Sequence, residues 1–67
     1  MAFVLYEIIE EDSNGRQTLV DTAADLVEAK RIAKAAIKDG AEQVIIFQDT
    51  GYDDYVEVER FKKLVDL

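Results

Sequence analysis

Fifteen carboxylates, with no histidine and no cysteine, set the chemistry open to this 67-residue chain. The densest group, Asp49-Thr50-Gly51-Tyr52-Asp53-Asp54, carries the oxygen ligands that a hard cation takes. A calcium loop of the EF-hand kind needs ligands at alternate positions and a distal glutamate, and this run has neither, so it reads as a turn. Glu57 and Glu59 share a face if their strand alternates strictly. Acid–base work by such a pair requires an enclosed pocket that pushes the two pKa values apart, and nothing around them suggests one. Ser13 sits in a turn with no recognisable base, and the three glycines are too scattered for a phosphate-binding loop. Without histidine the commonest general base and metal ligand is missing; without cysteine, disulfides and thiolate sites are excluded. The expectation is a non-enzymatic protein with no cofactor and no metal.

What remains is recognition by charge and by apolar surface. The formal charge is −7, and its distribution is uneven: residues 22 to 40 hold 3 acidic and 4 basic residues, the rest of the chain 12 and 4. Glu7, Glu10 and Glu11 close one strand, while Asp49, Asp53, Asp54, Glu57 and Glu59 surround a later hairpin. Carboxylates projecting from a sheet can imitate a nucleic-acid backbone and fill a basic groove on another protein. They equally serve as a solvated edge that charge protects from strand-to-strand association. Lys30, Arg31, Lys34 and Lys38 form a basic stripe on a helix, but no aromatic residues are interleaved and the domain is acidic, so a solvated face is expected rather than direct nucleic-acid binding.

The element that organises these groups is the amphipathic stretch from Asp25 to Gly40. Leu26, Ala29, Ile32, Ala33, Ala36 and Ile37 recur at helical spacing. Asp25 with Glu28 matches an acidic capping box, Thr22 with Asp25 offers a second register, and Gly40 supplies a stop, which predicts a helix over about 23–39. On either side the chain reads as strand. Residues 2–11 place Val4, Tyr6 and Ile8 on one face and Phe3, Leu5, Glu7 and Ile9 on the other. Asp12-Ser13-Asn14-Gly15 signals a hairpin, and 16–21 returns as a shorter strand. Val44-Ile45-Ile46-Phe47 within 42–48 has the continuous apolar character of a central strand. Residues 54–61 form the fourth strand.

These signals specify a single α+β domain over 1–67, of ββαββ order: a four-stranded antiparallel sheet with one amphipathic helix packed on one face. The expected core takes Val4, Tyr6, Ile8, and Leu19 or Val20 from the first hairpin. The helix adds Leu26, Ala29, Ile32, Ala33, Ala36 and Ile37, and the second hairpin adds Val44 or Ile45, Ile46 or Phe47, Val56 and Val58. One helix covers one face only, which leaves Phe3, Leu5, Ile9, Phe47, Tyr55 and Phe61 as an apolar partner surface. Residues 61–67 read as a C-terminal tail, in which Phe61, Leu64 and Val65 have the spacing of a short helical turn. The N-terminal residues lack a basic n-region, and no apolar run approaches a membrane span, so a cytoplasmic protein with no membrane partner is expected. The layout and charge are similar to those of small phage-encoded inhibitors of bacterial defence, a likeness of architecture and charge that no sequence motif carries. The partner is therefore expected to be protein: a second copy, as a homodimer, or a basic nucleic-acid-binding protein.

Overall fold

The computed structural model describes residues 5–52 and 54–63. Four strands and one helix follow one another as β1 (Leu5–Glu11), β2 (Gln17–Ala23), α1 (Leu26–Lys38), β3 (Gln43–Asp49) and β4 (Tyr55–Lys62). The strands form one antiparallel sheet in the order β2-β1-β3-β4, and α1 packs against it. This is the expected ββαββ architecture.

Local chemistry explains the joints. The backbone N–H of Gly15 donates to the Asp12 carbonyl (3.0 Å), and that of Asp12 donates to the Arg16 carbonyl (3.0 Å). Gly15 has φ +80. The connection is therefore a three-residue loop closed by a left-handed glycine, one residue longer than a bare Asn-Gly hairpin. The Asp12 carboxylate accepts from the N–H groups of Asn14 and Arg16, both at 2.9 Å, and so holds the loop from inside.

The helix starts at Leu26 because Asp25, in extended conformation, accepts from the Glu28 N–H at 2.8 Å. Thr22 and Ala23, expected at the helix entry, complete β2 instead, and Ala23 is buried beneath the helix. The C-terminus closes as a Schellman motif: Ala41 N–H to Ala36 C=O (3.0 Å) and Gly40 N–H to Ile37 C=O (3.1 Å). Gly40, at φ +116, takes the position no other residue adopts cheaply.

The core lies between α1 and one sheet face. Ile8, Ala23, Ala29, Ala33, Ala41, Val44 and Ile46 form its buried cluster, with Tyr6, Leu26, Ile32, Ala36, Ile37 and Phe61 packed around it. Ala29 and Ala33, both fully buried, are the helix residues at the centre of this contact. Small side chains there bring the helix axis close to the strands.

Four expected core positions depart from this. Leu19, Val20, Val56 and Val58 are all exposed: Leu19 is on the face away from the helix, Val20 and Val58 stand where the pairing register shifts, and Val56 lies on the outermost strand. Val4, also expected there, falls outside the described residues.

Each edge strand also carries one extra residue. Ile8 pairs with Asp21 and Ile9 with Leu19, so Val20 is a bulge; Ile46 pairs with Glu59 and Phe47 with Glu57, so Val58 is another. The second bulge turns over the remainder of β4. Phe61, expected on the uncovered face at the start of a tail, is in the strand and packs on the helix side. Glu57 and Glu59, expected on one face, are on opposite faces. The rest of the proposed tail, with Leu64 and Val65, lies outside the described residues.

Ile46 is fully buried whereas Val27, on the outer side of α1, is 80% exposed. Ile46→Ala is expected to cost about 2–5 kcal/mol, a large share of the stability of a domain this small. Ala33→Leu, which forces a larger side chain between helix and sheet, is expected to cost about 1–3 kcal/mol. Val27→Ala is expected to stay within about 0.5 kcal/mol of the parent. Chemical denaturation of the three variants checks the order; an unaltered midpoint for Ile46→Ala would place the core elsewhere.

Candidate interaction surface on the open sheet face

The sheet face away from α1 is laid out in four rows by strand register. Leu5, Asp49 and Tyr55 form the first row; Thr22, Glu7, Phe47 and Glu57 the second. Leu19, Ile9, Ile45 and Arg60 form the third; Gln17, Glu11, Gln43 and Lys62 the fourth. The face is thus apolar along its middle, acidic at one end, and holds both of its cations at the other.

A polar bridge crosses the cation end from edge to edge. Gln17 Nε2 donates to Glu11 Oε1 at 3.2 Å, and Gln43 Nε2 donates to Glu11 Oε2. Arg60 approaches that same Oε2 at 3.8 Å and grips Glu57 with two bonds, Nη2 to Oε1 at 2.6 Å and Nε to Oε2 at 3.1 Å. Residues from all four strands are joined in this way. Ile45 lies in the next row and is fully buried, although the helix is on the other side of the sheet. Its neighbours in register on this face are Ile9 and Arg60, and Phe47 follows two residues along the same strand.

Beyond the bridge the face stays open. Ile9 and Phe47 are half-buried; Leu5, Leu19 and Tyr55 are exposed, the last two to 53% and 54%. Glu7, Ile9, Gln17, Phe47 and Tyr55 line a shallow hollow there. The structure thus brings Leu5, Ile9, Phe47 and Tyr55 of the expected partner surface together and moves Phe61 to the other side. Phe3 lies outside the described residues. Leu19 was missed from this set, because the strand that carries it reads as core until the bulge at Val20 is known.

The acidic residues do not form one surface. Glu7, Glu11, Asp49 and Glu57 are on the open face, Glu10 and Glu59 on the helix face, and Asp54 in the β3–β4 loop; Asp53 lies outside the described residues. Several are engaged. Glu59 meets Lys30 of the helix at 3.3 Å, Glu28 pairs with Arg31, and Asp49 accepts from the Gly51 N–H at 2.8 Å. The basic stripe of α1 is divided accordingly: Lys30 serves β4 and Arg31 serves the first helical turn. Glu28, bound to Arg31, does not close the reciprocal half of the expected capping box in this arrangement. Among the described residues, no group of three or more carboxylates is placed to hold a metal ion, and no helix is long and apolar enough to cross a membrane. No protein-family model, curated protein or solved structure matches the chain.

The Arg60 hydrogen bonds hold the Glu57 carboxyl below its ordinary value, and Glu57 in turn holds the Arg60 guanidinium above its own. A lowered carboxyl favours the folded state above the ordinary glutamate value and loses that effect as pH falls through the lowered one. In Arg60→Ala, an NMR titration is expected to return the Glu57 carboxyl toward the ordinary range while Glu28, held by Arg31, stays low. A Glu57 that does not respond would mean the bridge does not persist in solution.

Proposed function

We propose that this protein is a small, acidic, non-enzymatic interaction module of the cytoplasm, which self-associates through the open face of its sheet. The observation that carries this reading is the asymmetry of the sheet. The centre of one face is covered by α1, with Val56 exposed at its edge, while the other face presents Leu5, Leu19 and Tyr55 to solvent around half-buried Ile9 and Phe47. Apolar side chains gathered on one side of so small a protein favour contact with another protein surface. Absence of histidine and cysteine from the whole sequence supports binding rather than catalysis.

A second reading is supported by the three carboxylates around Phe47, namely Glu7, Asp49 and Glu57, together with the net charge of −7. It makes the protein an acidic inhibitor that seats this end of the face in a basic, nucleic-acid-binding groove. Salt separates the two readings. Two copies of net charge −7 repel one another, so screening strengthens self-association, whereas it weakens the attraction between an acidic ligand and a basic groove.

Sedimentation equilibrium over about 10 μM to 1 mM is expected to show a monomer–dimer equilibrium that tightens when salt is raised from about 10 to 150 mM. A strict monomer throughout removes self-association. Capture of a basic nucleic-acid-binding protein that is released by salt, and lost when Glu7 and Asp49 are replaced by lysine, would establish the second reading in its place.

A further inference from the structure

The open face is not symmetric in charge, and this asymmetry selects one way for two copies to meet. Its first two rows carry Asp49, Glu7 and Glu57 without a cation; its last two carry Arg60 and Lys62 with a single carboxylate, Glu11. Two sheets packed face to face keep their strands nearly aligned, which leaves two simple two-fold arrangements. With the axis along the strands, each row lies over its own kind, and six carboxylates collect at one end. With the axis across the strands, the acidic rows of each copy lie over the cation-bearing rows of the other. The first arrangement sets like charge on like; the second sets −3 against +1 twice over.

We infer that the protein forms an antiparallel face-to-face dimer in which Lys62 of each copy lies over the Tyr55 and Asp49 end of the second copy. This rests on the self-association proposed above and adds its geometry. In that geometry strand lies over equivalent strand. Lys62 meets an aromatic ring with a carboxylate beside it, and Arg60 comes over Glu57 of the second copy. Lys62 is exposed and in register with Gln43, which places it on the open face. Bulges at Val20 and Val58 oppose the competing mode, edge-to-edge pairing, by interrupting both free strand edges.

The size of the face bounds the strength. Strands of seven residues at about 3.3 Å each, four across at about 4.8 Å, give a footprint of roughly 23 by 19 Å. A pair of such faces buries on the order of 1,000 Å², at the lower limit for a specific complex, so the dimer is weak and concentration-dependent.

Thiol crosslinking of the full chain tests the orientation, since the sequence holds no native cysteine. Lys62→Cys and Tyr55→Cys are prepared separately and treated with a short bismaleimide, alone and as a mixture, at a concentration where the parent dimerises. The mixture is expected to give a mixed-mass crosslinked dimer in excess of anything either variant forms alone. Lys62→Glu is expected to weaken the dimer about tenfold, an order-of-magnitude figure for two partly exposed charge contacts. A parent that dimerises while the mixture shows no excess, or in which Lys62→Glu has no effect, overturns the orientation and leaves self-association standing. A parent that remains monomeric overturns both.

Discussion

The contact between the alanines of α1 and the inner side of the sheet is the constraint on which the rest of the molecule depends. Ala29 and Ala33 are fully buried against a surface built from Ile8, Val44 and Ile46. A domain this short buries only about 60% of the surface its unfolded chain exposes, so it cannot surround its core from several sides. Close approach by small residues is the alternative. It lets 13 helical residues seal the middle of the sheet, with Leu26, Ile32 and Ile37 filling the flanks. It also limits coverage, because one helix reaches the edge strands only in part, at Ala23 of β2 and at Glu59 and Phe61 of β4. The exposure of Val20 and Val56 follows from the same geometry that buries Ile46.

The edges are managed by other means. Both outer strands are interrupted by one extra residue, and such bulges spoil the straight row of donors and acceptors that a second chain needs for pairing. In β4 the bulge has a further effect, since it exchanges the faces of all that follows. Glu59 is turned toward the helix, where it meets Lys30, and Arg60 toward the open side, where it reaches Glu57 and Glu11. One inserted residue thus joins the helix to an edge strand on one side and completes the polar bridge on the other.

What could be read from the sequence was what depends on neighbours in the chain. Asp25, Gly40 and the Asp12–Gly15 turn signal their conformations through local hydrogen bonds and backbone freedom, and they placed the elements within a few residues. The apolar run Val44 to Phe47 identified a central strand for the same reason. Strand faces were legible only where alternation is unbroken: β1 is regular, and Leu5 and Ile9 are on the open side as expected. A bulge arises from pairing with a distant strand and leaves no mark in local composition. Strict alternation therefore sent Phe61 to the wrong face and kept Glu57 beside Glu59. The bridge from Gln17 to Arg60 was hidden for a related reason, since its members are brought together only by the order β2-β1-β3-β4.

The same bridge decides how the open face can be used. Arg60, held by two carboxylates, stands beside the fully buried Ile45, and the apolar surface ends there at a polar border. Among the described residues, exposed apolar area on this face is confined to Leu5, Leu19 and Tyr55 around Phe47, where Glu7 and Asp49 carry charge that an incoming surface must match. Apolar area supplies attraction that is indifferent to orientation; the segregated charges supply direction. A small face of this kind gains little affinity from its size. Its selectivity comes instead from the penalty it imposes on any partner that brings negative charge to the acidic end.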